Sequence, residues 1–310
     1  MFSSQKGRTQ QKLAEMFLSC KIDSRIPTFS ELQKILNVGT GTIQSAIKDF
    51  EQADIIELQA QPRYGTILIK KNIQKLWEFL PNRHLVGLFP EPLSLEMRGL
   101  AMGLRSTLND YNIPLVIVYG YGSKVRFDRI LEDNSTEDFV ISSLASANER
   151  RKNPSNLEIT ISLGPNSFYD KDSLVLLEHN ANHTKSDSEL RVGIDYSSYD
   201  QAALTKELYP NSQFVEVKYA DIPFEILSQN IDCAVWHKTQ QQKYFNNTPI
   251  KTKIITQDML KAVNLAAISE AVVTTNSDNK MIEDLLTHID ICKVRNIQNS
   301  VLQEELNAIF

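Results

Sequence analysis

The chain has 310 residues, 42% of them hydrophobic, which is enough for two or three domains with cores of their own. Its three cysteines, Cys20, Cys233 and Cys292, match no zinc or redox spacing, no apolar run approaches the ~18 residues of a membrane span, and MFSSQKGRTQQKL lacks the apolar centre of a secretion signal. Metal, cofactor and membrane partners are therefore not expected, and buried thiols in a reducing cytoplasm are. The net charge of −5 speaks against a nucleic-acid partner only until the chain is divided, because residues 1–72 carry ten Lys/Arg against seven Asp/Glu and the remainder 23 against 31. A basic end on an acidic body lets one end approach phosphate while the other repels it.

Leu13, Met16, Phe17 and Cys20 recur at helical spacing and predict a first amphipathic helix over about residues 6–20. In IPTFSELQKIL, Thr28 and Glu31 form a capping box that starts a second helix at about residue 29, with Leu32, Ile35 and Leu36 as its buried stripe. After the NVGTG turn, Ile43, Ala46, Ile47 and Phe50 define a third helix. Its open face carries Thr40, Thr42, Gln44, Ser45 and Lys48, the hydroxyls, amide and cation of a recognition helix. DIIELQAQPRYGTILIKKN reads as two alternating strands, a wing whose tip sets Arg63 and Tyr64 against a sugar-phosphate edge. An ordinary three-helix bundle with a solvated hairpin is the plainer alternative.

The stretch from Ile26 to Lys71 resembles the winged-helix domain of GntR-type bacterial repressors. That resemblance implies binding to double-stranded DNA through Thr28, Thr40, Thr42, Gln44, Ser45, Lys48, Arg63 and Tyr64. Where the family has S-R-G-T-V-R entering the recognition helix, this chain has Gly39-Thr40-Gly41-Thr42-Ile43-Gln44. Both arginines are missing, which leaves Gln44, able to pair bidentately with adenine, as the base reader.

NIQKLWEFLPNR, with Leu76, Trp77 and Leu80 on one side, is expected to be a linker helix over residues 72–83. Beyond it two units share one order of elements. LVGLFPEPLSLEMRGLAMGL opens a strand, helix, strand, helix, strand series that ends in DFVISS, and RVGIDYSSYDQAALTKEL opens another that ends in DCAVWHK. Apolar strand runs bounded by helices predict parallel sheets buried on both faces. Residues 158–179 read as two strands suited to a crossing between lobes, and the C-terminal helix, strand and helix are expected to return to the first lobe.

Such units bind ligands outside the carboxyl ends of their strands, at helix N-termini, so two of them facing each other close a cleft. From the first lobe the candidate ligand-binding residues are Glu91, Ser94, Tyr119, Gly122, Ser142 and Ser143. From the second they are Ser197, Ser198, Tyr199, Asp200, Trp236 and His237. The serines hold a carboxylate or phosphate, or else simply cap their helices. Glu91 and Asp200 hold a ligand amine, which makes a zwitterion plausible, or are solvated acids. Trp236 walls the pocket or packs in the core.

The element order resembles the type 2 periplasmic-binding-protein fold. Joined to a GntR-like amino-terminal domain, it is similar to the YhfZ-type family of transcriptional regulators. The expected architecture is α/β, with a winged helix-turn-helix domain at residues 1–71 and a two-lobed ligand-binding domain at 84–310. The implied function is a DNA-binding regulator, homodimeric because helix-turn-helix proteins read paired half-sites, whose operator binding answers to a small polar or anionic metabolite. G-x-S-x-G, P-loop and H-E-x-x-H patterns are absent, and Cys233 with His237 does not by spacing make a nucleophile and base, so an enzyme is not expected. The alternative is a cytoplasmic enzyme or solute-binding module with a degenerate DNA-binding domain.

Overall fold

The structure, a computed structural model, describes residues 4–81, 84–92, 94–153, 156–180, 185–238 and 248–303. The chain forms two compact units, one of Met1–Leu85, Arg105–Val116 and Ser277–Ile289, the other of Val86–Leu104, Ile117–Asn276 and Asp290–Phe310.

In the first unit, α1 (Gln5–Ser19) starts where the Ser4 hydroxyl accepts from the amide of Gly7, and it buries Leu13, Ala14, Phe17 and Leu18. α2 (Phe29–Leu36) has the expected capping box, Thr28 and Glu31 satisfying each other's amides, and it ends on Asn37 in the left-handed conformation. α3 (Thr40–Gln52) buries Ile43, Ala46, Ile47 and Phe50. Phe50 joins the layers, its ring meeting Phe17 at 6.2 Å and Phe79 at 4.9 Å, both edge to face. β1 (Ile56–Gln61) and β2 (Gly65–Lys71) form an antiparallel hairpin. Residues 23–26 bond along β2 through Asp23 to Leu68, Leu68 to Ser24 and Ile26 to Thr66, so the wing has a third segment at its base.

Two expectations change here. Ile35 is 64% exposed, because an eight-residue helix reaches the core only through Leu32 and Leu36, one turn apart. Residues 72–81 do not run free: α4 (Ile73–Trp77) packs on α1, and Leu76, Trp77 and Leu80 are buried within the first unit. A later helix, Lys280–Leu286, lies against α1 as well. The buried Lys71 ammonium donates to the carbonyls of Leu18 (2.9 Å) and Cys20 (2.7 Å) and pairs with Asp284 at 2.6 Å. A lysine can be buried there because each of its protons has an oxygen.

The remaining elements build two lobes. β3 (Leu85–Phe89), α5 (Leu95–Asn109), β4 (Leu115–Tyr119), α6 (Ser123–Ile130), β5 (Phe139–Ser143), α7 (Leu144–Arg151) and β6 (Leu157–Ser162) make the first. β7 (Leu174–His179), β8 (Arg191–Ile194), α8 (Tyr199–Leu208), β9 (Gln213–Glu216), α9 (Ile222–Leu227), β10 (Cys233–His237) and β11 (Ile250–Ile254) make the second. The chain then returns through α10 (Leu265–Ser269) to β12 (Ala271–Asn276), followed by α11 (Lys280–Leu286) and α12 (Ile291–Leu302).

The sheet orders are β4-β3-β5-β12-β6 and β11-β7-β10-β8-β9. They are mixed rather than purely parallel: β3 with β5, and β8 with β9 and β10, run parallel, whereas β12 and β7 are antiparallel to both their neighbours. β7 and β12 are the strands entered from the two lobe crossings, so neither takes its direction from a βαβ unit within its own lobe. The duplicated strand and helix order is present in both lobes. α12 is seated on α5 where Gly103 leaves no side chain, since a Cβ there would stand 2.7 Å from the Val294 carbonyl. The buried Gln298 amide donates to the carbonyls of Glu96 and Ser167, at 2.8 Å each.

Candidate functional site: a cleft between the lobes and a recognition surface

The carboxyl ends of the strands in the two lobes enclose a cavity of about 170 Å³. Its first wall is the turn from β4 into α6. Gly122 caps α6 with φ +61°, a conformation that favours glycine, and a Cβ there would collide with Ser197 of the opposite lobe. One turn into α6, Arg126 faces the cavity although only 3% exposed. One of its terminal nitrogens donates to the Gly120 carbonyl (2.9 Å), while its Nε has no protein partner. Burial lowers its pKa to about 10, so it remains a cation at neutral pH. Ser94, at the start of α5, completes this wall, its Oγ accepting from the Met97 amide at 3.3 Å.

The second wall is the turn from β8 into α8. Ser198 occupies the cap position of α8, but its hydroxyl makes no capping bond. Asp200 is buried, and its Oδ1 accepts from Ser143 (2.8 Å) and Ser146 (3.0 Å) of the first lobe. Burial raises its pKa to about 6, against the pull of the two hydroxyls and of Arg126. The Asp195 carboxylate is taken up by the amide and hydroxyl of Ser197 and the amide of Tyr219. His237 closes the far end. Its Nδ1 lies 2.7 Å from the Tyr219 hydroxyl, which also bonds Tyr169, and burial lowers its pKa to about 4, so it is neutral.

The jaws touch. The Lys124 amide donates to the Ser197 carbonyl at 3.1 Å, and the Tyr199 amide donates to the Ser123 hydroxyl at 3.2 Å. Together with the bonds from Ser143 and Ser146 to Asp200, these contacts hold the two helix starts against each other.

Of the sequence candidates, Glu91, Ser94, Gly122, Ser198, Asp200 and His237 line the cavity. The other six do not. Ser143 acts behind the wall through Asp200, and Ser142, fully buried, bonds the Ser143 carbonyl. Ser197 is held by Asp195, and Tyr199 by Glu149, with burial pushing its pKa up to about 12. Tyr119 is 37% exposed outside the cavity. Trp236 is core, its Nε1 bonded to the Tyr219 carbonyl and its ring packed on Val175, Ile226 and Ile231.

Sequence reasoning missed Arg126, Lys218, Tyr169 and Tyr219, all on the wall. Arg126 had a signal: it falls with Ser123, Phe127 and Ile130 on the buried stripe of α6, where a cation demands a partner. Tyr169 comes from an irregular segment and Tyr219 from a three-residue 3-10 turn ahead of α9, both too short for any period to betray them. Cys233 and His237 are not brought together, since both sit on β10, ~13 Å apart at strand rise, with Cys233 bonded to Tyr209. Among the described residues no group of three or more His, Cys, Asp or Glu is placed to hold a metal, and no helix is long and apolar enough to cross a membrane.

In the first unit, Gln44, Ser45 and Lys48 are exposed on α3, and Thr40 and Thr42 are half-buried at its start. Arg63 and the 72% exposed Tyr64 form the wing tip, with Arg63 in the left-handed region at φ +70°. The Thr28 hydroxyl is occupied by the capping box, donating to Glu31 at 2.8 Å. Arg8 and Lys12, absent from the sequence-based candidates, project from one face of α1 into a groove beside the α2–α3 turn at Leu36, Asn37 and Val38.

Comparison with known proteins places this architecture. A model of the YhfZ C-terminal domain matches residues 72–309, and a helix-turn-helix model matches residues 21–68. The chain belongs to the YhfZ family. Solved YhfZ from Shigella flexneri is 22% identical and superposes with a TM-score of 0.50 over 74% of this chain and all of that one. The periplasmic aliphatic sulphonate binding protein SsuA from Escherichia coli gives 0.51 at 10% identity, over 72% of this chain and 75% of its own. No curated protein matches the chain. The family member thus joins a helix-turn-helix domain to the two-lobed fold of periplasmic binding proteins.

Proposed function

We propose that this YhfZ-family chain is a cytoplasmic, homodimeric, DNA-binding transcriptional regulator whose GntR-like winged helix reads an operator and whose cleft takes a small polar or anionic metabolite. The observation that carries the reading is a cavity walled by both jaws, holding a buried guanidinium with an unpartnered Nε, in a chain that also has a helix-turn-helix domain. A buried donor without an acceptor costs free energy unless a ligand or water supplies one. Because the jaws come from different lobes, a ligand that touches both binds the closed arrangement better than the open one and shifts the population towards it. The test is fluorescence anisotropy on DNA from upstream of its own gene, as a function of salt and of added metabolites. Affinity that falls steeply with salt and changes several-fold with a metabolite supports the reading. Turnover of a metabolite without any DNA binding favours an enzyme instead.

A further inference from the structure

Resting on the reading of the cleft as an effector site, we propose that it selects one ligand class, a small zwitterionic amino carboxylate, with its carboxylate on Arg126 and its ammonium on Asp200. The free edge of Arg126 sets the first half. With one terminal nitrogen on Gly120, Nε and the other terminal nitrogen remain as two parallel donors, the fork that matches the two oxygens of a carboxylate. The start of α6 lies beside it and adds the favourable end of a helix dipole.

Charge balance sets the second half. The wall carries Arg126 and Lys218 against Glu91, Asp195 and Asp200. Asp195 is already saturated by three donors, and Glu91 is exposed to solvent. Asp200, also buried, has only one oxygen engaged, on two serine hydroxyls, and Arg126 is among the groups that keep it charged. A lone anion on Arg126 would take from Asp200 its compensating cation, and a phosphate would bring further negative charge. An ammonium delivered with the carboxylate restores the balance, so the zwitterion enters without adding net charge beside the buried pair. Size agrees. A cavity of about 150 Å³ is enough for benzene, so one of about 170 Å³ has room for an amino acid. Met97, Phe168 and Tyr169 leave an apolar wall for its side chain.

The full-length protein, titrated calorimetrically with the twenty standard amino acids, inorganic phosphate and sulfate, tests the class. For each amino acid that binds, its decarboxylated amine and its deaminated carboxylate are titrated too. At least one amino acid should bind, and both of its truncated analogues should be weaker by about ten- to a hundred-fold. Arg126→Lys, which keeps the charge and loses the fork, and Asp200→Asn should each cost a similar factor. Circular dichroism of both variants establishes that they fold. Phosphate, sulfate or a plain carboxylate binding as tightly as any amino acid, or no amino acid binding, overturns the proposal. The two readings fail separately: a non-zwitterion that binds and alters DNA affinity sinks the ligand class alone, whereas an amino acid that binds as described without changing DNA affinity sinks the regulatory response alone.

Discussion

Ser94 and Ser198 hold matching places at the mouths of the two lobes, yet their hydroxyls are used differently. Ser94 caps α5, and Ser198 leaves its hydroxyl uncommitted on the cavity wall. Ser94→Ala is therefore expected to lower unfolding stability by about 1 kcal/mol. Ser198→Ala should leave stability within about 0.5 kcal/mol and weaken ligand binding instead. Thermal melts without ligand, set beside calorimetric affinities, separate the two. Asp200 gives a pH prediction. Its folded pKa of about 6 lies above the unfolded value of about 3.9, so its favourable contribution is complete below pH 3.9 and is lost as pH rises through 6. Arg126 from α6, Ser143 at the end of β5, Ser146 from α7 and the hydroxyls of Tyr169 and Tyr219 face it or act on it, and none of them titrates between pH 4 and 7. His237 on the same wall slopes the opposite way over that range, but it is common to parent and variant. The stability of Asp200→Asn relative to the parent should therefore rise by up to about 3 kcal/mol between pH 4 and pH 7 in urea titrations.

Elements were legible wherever one local rule decided them. The capping box at Thr28 and Glu31 started α2 at the residue expected, and the stripe of Ile43, Ala46, Ile47 and Phe50 defined α3. The matched Val-Gly strands followed by polar turns exposed the duplication, and with it Glu91, Ser94, Ser198 and Asp200 of the cavity wall. What stayed hidden was set by partners distant in sequence. Ile35 follows the helical stripe yet faces out because no second layer covers it. The antiparallel strands owe their direction to lobe crossings, which leave no mark on a strand's own pattern. Tyr169 reaches the wall from an irregular segment and Tyr219 from a three-residue 3-10 turn, where no period is long enough to read. The contact between the starts of α6 and α8 yields a further test. Gly122→Ala forces a side chain into φ +61° and against the Ser197 turn, so it should cost on the order of 1–3 kcal/mol in denaturant unfolding and weaken any ligand that needs closed jaws.

For the molecule as a whole, Lys48 is the one cation on α3, so further phosphate contacts are expected from neighbouring surfaces. Beside Lys48 on α3, the wing tip at Arg63 and the α1 cations Arg8 and Lys12 are exposed positive groups near that helix or the turn before it. If they contact backbone, Arg63→Ala and Arg8→Ala should each weaken all DNA sequences alike and flatten the salt slope by about one unit, whereas Gln44→Ala should relax sequence preference. Anisotropy titrations on operator and scrambled DNA at several salt concentrations would show it. Unchanged slopes for both arginine variants would remove those roles. The buried pair of Lys71 with Asp284 also bears on how such a protein can be inherited. The first unit is completed by α11, a helix encoded more than two hundred residues downstream and flanked on both sides by segments of the other unit. A gene fragment ending at residue 71 would encode α1 without the surface that covers it and a buried ammonium without its counter-ion. Such a fragment should be recovered as an aggregating, protease-sensitive chain, which makes this head a poor cassette for recombination and ties its evolution to that of the body it serves.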